Sequence, residues 1–153
     1  MLGLGRAAVR GFTLMELLVV MAIVAILASI AAPSFTQLIE SQRARSAVDN
    51  LRSSLDLARS EAIKRNSNIT VSRVGASWEE GWQVTQGATV LRSEPAVSSL
   101  TITSAANALV FNPSGRAATS VSFAIAPTTG SGASDYCVEI SLSGKARSKK
   151  GPC

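Results

Sequence analysis

Between Glu16 and Glu40 the chain carries no charged residue, and Leu17 to Ala32 is apolar throughout except for Ser29. In an apolar surrounding a backbone must satisfy its own N–H and C=O groups, so this run reads as a hydrophobic helix. Leu14 to Phe35 counts 22 residues, enough at about 1.5 Å per residue to cover the roughly 30 Å hydrocarbon core of a bilayer. The expectation is a transmembrane helix, with Pro33 and Ser34 near its outer end. The other constraints are exclusions. Histidine is absent and cysteine occurs twice in 153 residues, which removes Ser-His-Asp and Cys-His relays, imidazole metal ligands and four-thiolate zinc sites. No enzymatic role is expected, and no cofactor or metal.

What precedes the run decides its purpose. Arg6 and Arg10 with an apolar core over Leu17–Leu27 fit a cleaved secretory signal, and Ala28 to Ala32 offers small residues for a cleavage site; a plain single-span anchor is the second reading. Glu16 speaks against both, because it sets an acid inside a stretch already too long for a signal core. The third reading rests on Gly11-Phe12-Thr13-Leu14-Met15-Glu16 followed by Leu17-Leu18-Val19-Val20. These residues resemble the type IV pilin signature. The resemblance implies a leader over residues 1–11, cleaved between Gly11 and Phe12 by prepilin peptidase on the cytoplasmic side, N-methylation of Phe12, and an assembly helix over 12–35. Arg6 and Arg10 then remain inside, as the positive-inside rule requires. The chain would sit in the inner membrane with a single pass and a periplasmic C-terminal domain, and after assembly with other pilins in a surface filament or at its tip.

Glu16 poses a physical problem that this role answers. A carboxylate at the centre of a membrane helix costs about 2.5–3.5 kcal/mol on insertion scales. Cleavage creates an amine at Phe12, one turn away, and in a filament that amine can pair with Glu16 of a neighbouring subunit. The alternative is that Glu16 snorkels to the headgroups.

Over residues 36–66 the chain stays helical but turns amphipathic. Val48, Leu51, Leu55, Ala58 and Ala62 draw one apolar stripe, outside which lie Asp49, Arg52, Asp56, Arg59, Glu61 and Arg65. From residue 67 to 153 short β-branched runs alternate with Gly, Pro, Ser and Asn. Strands are expected at Ile69–Val74, Gly81–Thr85, Thr89–Arg92, Leu100–Thr103, Ala108–Asn112, Val121–Ile125 and Tyr136–Leu142, with Thr128–Ser134 as a mobile loop that offers little to bury. The fold class is therefore α+β, a long N-terminal helix packed on an antiparallel sheet domain, as the type IV pilin resemblance implies. Within the pilins, Leu57-Ala58-Arg59-Ser60-Glu61-Ala62-Ile63, Phe111-Asn112-Pro113-Ser114-Gly115-Arg116 and the stretch from Cys137 to Cys153 are similar to the minor pilin and pseudopilin group named for GspH and FimT.

A domain exported in that way meets an oxidising compartment, so Cys137 and Cys153 are expected to pair; the alternative is two free thiols. Between them, Ser143 to Pro152 holds four cations, Lys145, Arg147, Lys149 and Lys150, and no acid. From Glu40 onward the chain has 13 basic and 9 acidic residues, so the excess equals the charge of this segment. Gly144-Lys145-Ala146-Arg147 resembles the basic tail motif of FimT-type minor pilins that bind DNA for natural transformation, with Lys145 where that motif has Arg. The departure matters, because Arg grips phosphate with two donors and Lys is a point charge. A disulfide-closed basic loop would present all four cations on one side to double-stranded DNA without reading sequence. Four phosphate contacts imply a salt slope of at most about −3.6. The alternative is a solvated basic turn that aids solubility or touches anionic lipid; Arg116 joins the patch only if the fold brings it near.

Other motifs fail. Gly144-Lys145 lacks the remainder of a P-loop, since Glu139 and Ala146 stand where Gly and Ser or Thr belong. Gly130-Ser131-Gly132 has no third glycine, and residues 126–135 offer only Asp135 to a calcium ion. Glu79-Glu80 between Trp78 and Trp82 is expected as a solvated turn with half-buried indoles. Two machines remain open, a type IV pilus and a type II secretion system, in which the chain would be a minor pseudopilin.

Overall fold

The computed structural model describes residues 12–128 and 135–153, and for residues 31–34 and 37 the backbone alone. The leader over 1–11, Gly11 included, and the loop after Thr128 up to Ser134 lie outside the described residues. One helix, α1 (Leu14–Arg65), is followed by eight strands: β1 (Ile69–Arg73), β2 (Trp82–Gln86), β3 (Thr89–Glu94), β4 (Leu100–Ser104), β5 (Ala108–Phe111), β6 (Val121–Pro127), β7 (Tyr136–Ile140) and β8 (Ala146–Lys150). Seven of the strands lie where the β-branched runs place them, within two residues at their ends. The eighth falls in the basic segment read as a loop.

Both ends of α1 are fixed by local chemistry. Thr13 accepts a hydrogen bond at its Oγ1 from the Glu16 N–H at 3.2 Å, and Thr13-Leu14-Met15-Glu16 has the T-x-x-E spacing of a capping box. At the other end Asn66 turns left-handed at φ 48°. There the Ser67 N–H reaches the Ala62 carbonyl at 3.2 Å and the Asn66 N–H the Ile63 carbonyl at 3.3 Å, the paired bonds of a Schellman stop. Lys64 and Arg65 in the last turn complement the negative end of the dipole.

The chain divides into two compact units, one ending at Thr36 and the other beginning at Gln37. In the first, every large apolar residue from Phe12 to Ile30 leaves between 44% and 77% of its surface exposed. So large an apolar surface is not stable in water and marks a segment meant for lipid or for other chains. Among the described residues no helix is long and apolar enough to cross a membrane. The stretch expected as a membrane helix, Leu14–Phe35, lies within α1, and from Leu14 to Ile30 it is apolar apart from Glu16 and Ser29.

The second unit has its own core. Its strands form two four-stranded antiparallel sheets, β3-β2-β1-β5 and β4-β6-β7-β8. From the helix, Ala44, Ala47, Val48, Leu51, Leu55, Ala58 and Ala62 are all at most 3% exposed. They form a single cluster with Val71, Val84 and Phe111 of the first sheet and Ile102, Phe123 and Val138 of the second. The two indoles expected to be half-buried are instead fully buried. Trp78 packs edge-on against Phe123, with centroids 4.9 Å apart, and donates to the Ala106 carbonyl at 2.8 Å. Trp82 donates to the Ser54 Oγ at 3.0 Å, and Ser54, wholly buried, donates in turn to the Asn50 carbonyl at 2.9 Å. Each indole found an acceptor inside, which is what lets so large a ring leave water completely.

Glu79 and Glu80 are spent on structure rather than paired. The Ile102 N–H on the outer edge of β4 donates to a Glu79 carboxylate oxygen at 3.3 Å, and Glu80 accepts from the Ala76 N–H and the Ser77 hydroxyl. The outer edge of β5 is covered as well, by the Ala118 N–H on the Val110 carbonyl. Among the described residues, β3 and β8 are the edge strands whose outer backbone has neither a backbone bond nor such a side-chain cover.

Removing the Ser54 hydroxyl leaves the buried Trp82 N–H without an acceptor. Ser54→Ala is expected to lower the unfolding free energy by about 1–3 kcal/mol, measured by urea denaturation with tryptophan fluorescence.

Candidate functional site

The basic segment begins at a tight turn. The Gly144 N–H donates to the Ser141 carbonyl at 2.8 Å, with Gly144 at φ 77°, a conformation open to glycine at little cost. A Cβ at Gly144 would lie 2.0 Å from the Gly115 carbonyl oxygen, and one at Gly115 would lie 2.6 Å from Ile63 Cδ1 and 3.3 Å from Arg59 Cγ. The three stretches that carry the subgroup resemblance therefore meet at one seam: the helix over Leu57–Ile63, the Phe111–Arg116 turn and the turn before Lys145. Asn112 holds its turn by accepting the Ser114 and Arg116 N–H groups at 3.0 Å. Glu61 serves the helix end, where the hydrogen bond from Arg65 holds its carboxyl below the usual value against the opposing effect of burial. The seam brings the exposed Arg116 next in chain to the residue packed on Gly144.

After the turn the chain enters β8 and pairs with β7 in antiparallel register, Ala146 with Ile140, Arg147 with Glu139, Ser148 with Val138, Lys149 with Cys137 and Lys150 with Tyr136. Alternation sorts the side chains onto two faces. Ala146 is buried and Ser148 accepts from Arg52 Nη1 on the helix at 3.2 Å, so Ala146, Ser148 and Lys150 take the inner side. Arg147 and Lys149 take the outer side with Glu139. Lys145 joins them, for it lines the same depression of about 480 Å³ with Glu139, Ser141, Ser143, Arg147 and Cys153. The expectation of four cations on one side of a loop is thus corrected. Three of them, Lys145, Arg147 and Lys149, form a row on an edge strand, and pleating turns Lys150 to the other face. Glu139 enters the row, with its Oε1 3.0 Å from Lys149 Nζ. Sequence reading missed Glu139 because its place is set by strand pairing alone; its position five residues before a turn into a basic run was the available signal.

Cys137 and Cys153 are bonded to each other, with Cα atoms 5.0 Å apart across a separation of 16 residues. Cys137 lies opposite Lys149, so the bond ties the chain beyond β8 back onto β7. The Gly151 N–H adds a bond to the Asp135 carbonyl at 2.8 Å. At the far end of the chain, Phe12 is exposed just before the helix and Glu16 sits in its first turn, where the helix dipole favours a carboxylate. The two belong to a different unit from the cation row. Among the described residues no group of His, Cys, Asp and Glu side chains is arranged to hold a metal.

Residues 47–144 match the family described as type II transport protein GspH. The chain belongs to the GspH family. Residues 6–32 match the prokaryotic N-terminal methylation motif, so it is a type IV pilin-like protein of the GspH/FimT group. The type IV minor pilin FimU of Pseudomonas aeruginosa is similar in structure at 26% identity and a TM-score of 0.62, over 74% of this chain and 90% of that one. A second crystal form of FimU gives 23% and 0.61, over 69% and 91%. The minor pseudopilin EpsH from the type 2 secretion system of Vibrio cholerae shares the fold at 16% identity and a TM-score of 0.54, over 71% and 97%. No curated protein sequence matches the chain. The GspH-family member is accordingly a non-enzymatic, pilin-like structural subunit with the pilin fold. Its basic strand β8 lies beyond the residues that the family description covers.

Opening the Cys137–Cys153 bond frees the segment that holds the end of β8. Cys153→Ser is expected to cost about 3 kcal/mol on the chain-entropy model for a loop of this size. Urea unfolding checks it, and the wild type under reducing conditions should unfold with the variant.

Proposed function

We propose that this GspH-family protein is a minor type IV pilin, a structural subunit incorporated at or near the tip of a pilus, and that its β8 row binds double-stranded DNA without sequence preference for natural transformation. The resemblance to FimU over most of both chains supports the first part. The observation that carries the second is the alignment of Arg147 and Lys149 at alternate positions of the exposed strand β8 with Lys145 immediately before it. Alternate strand residues stand about 7 Å apart, so the three cations follow one phosphate backbone together. Prepilin peptidase cuts between Gly11 and Phe12, and Phe12 is N-methylated. The apolar N-terminal segment holds the chain in the inner membrane with the second unit in the periplasm, until the segment joins the helices of other pilins. There the new amine of Phe12 meets Glu16 of a neighbour, so both charges leave lipid as a pair.

The assembly reading fixes two outcomes. The mature protein is expected to have the mass of a chain beginning at methylated Phe12, and Glu16→Ala to leave membrane association intact while reducing incorporation into sheared filaments, read by immunoblot. A mature chain beginning near Ala31, or normal incorporation of the variant, overturns it.

For DNA, the full chain in nonionic detergent is expected to shift duplex DNA at low salt with a slope of log affinity no steeper than about −2.7, the value for three phosphate contacts. Changing Lys145, Arg147 and Lys149 together to Ala should abolish the shift; equal affinity removes the DNA reading. The fold shared with EpsH favours a second reading, a minor pseudopilin of a type II secretion system. Deleting the gene separates the two, since loss of exoprotein export marks the pseudopilin and loss of motility and transformation marks the pilin.

A further inference from the structure

Glu139 is the sole acid among the described residues lining the depression beside the cation row. It stands directly opposite Arg147 in the β7–β8 ladder and reaches Lys149 at 3.0 Å. Both members of that ion pair are about half exposed, 54% for Lys149 and 49% for Glu139, so water screens the pair and it opens readily. We propose that Glu139 is a specificity-determining residue of the polyanion row, a built-in counter-ion that occupies Lys149 until closely spaced charges displace it. The inference rests on the reading of β8 as a polyanion-binding strand, and adds what that strand selects.

The selection follows from geometry. An isolated anion that approaches Lys145 and Arg147 meets the opposing charge of Glu139 and gains nothing from Lys149. A polymer whose charges repeat at the spacing of alternate strand residues, about 7 Å, engages Arg147 and presses a further charge onto Lys149 in the same event. Such a polymer recovers Lys149 only by opening its bond to Glu139. The row therefore answers to dense charge and discriminates against sparse charge; on duplex DNA the freed Glu139 carboxylate takes up a salt cation that offsets the ion released at the third phosphate, so the net ion release is that of two contacts rather than three.

The measurement is the salt dependence of binding of a fluorescent duplex to the full chain in nonionic detergent micelles, followed by anisotropy between about 50 and 200 mM salt. For the wild type the slope of log affinity is expected near −1.8, the value for two contacts, and for Glu139→Gln near −2.7, the value for three. The variant is expected to bind about two- to five-fold more tightly at the lowest salt, as removal of a solvated ion-pair partner allows. Lys149→Ala should change little in the wild type and should cancel the gain when combined with Glu139→Gln. A residue that merely supports the sheet would not move the slope. Binding by both proteins with equal slopes overturns the role of Glu139 and leaves the polyanion reading standing, as does a full loss from Lys149→Ala alone. Binding by Glu139→Gln with none by the wild type supports the inference in its strongest form. Binding by neither removes the polyanion reading itself, and the inference with it.

Discussion

The burial of one helical stripe governs the second unit. Ala44 and Ala47 at one end and Ala58 and Ala62 at the other flank Val48, Leu51 and Leu55, so the small residues let strands approach the helix closely at both ends and the larger ones fill the space between. Two separate four-stranded sheets share this stripe, so neither has an independent apolar face to fold upon. Strand order, edge protection and the place of the basic strand are consequences of fitting both sheets to one helix. Ser54 is the polar exception in the stripe, and it is tolerated because it links Trp82 to the Asn50 carbonyl.

The basic strand is the weakest part of that arrangement by apolar content. Ala146 is the single β8 residue that enters the core. What holds β8 in place is its ladder with β7, the Arg52–Ser148 bond, the turn seated on Gly115 and the Cys137–Cys153 bond beyond its end. All of these restraints except the disulfide, whose Cys137 stands opposite Lys149, leave the outer face untouched. A strand secured from its inner side and its ends can carry a row of charges outward at little cost to folding, and edge Lys residues also discourage stray strand pairing.

Much of this was legible in the sequence, and the failures have physical causes. The helix stripe was legible because five apolar positions at helical spacing have no other consistent use, and every one is buried. Seven strands were legible from β-branched runs between turn residues. β8 was not, because Ala146-Arg147-Ser148-Lys149-Lys150 has no alternation of apolar and polar residues, and its partner Tyr136–Ile140 defines it only through tertiary pairing. The burial of Trp78 and Trp82 was missed because acceptors at Ala106 and Ser54 are distant in sequence, each 28 residues from its donor. Thr13 is the opposite case: its capping-box spacing to Glu16 is local and lies open in the sequence.

The two units expose different surfaces, large apolar side chains in the first and a charged strand in the second. Among its described residues the first has no buried side chain, and so large an apolar surface demands lipid or other chains. The second is complete in itself and exposes one strand whose charges are partly neutralised from within. Three cations, one of them held by an acid, cannot bind a polymer tightly through a single subunit. On the proposed reading, tight capture at a filament tip needs further contacts from neighbouring subunits, since linked weak contacts raise affinity without a new contact in any one of them. Affinity is thereby placed under the control of assembly, while each row supplies only the preference for dense charge.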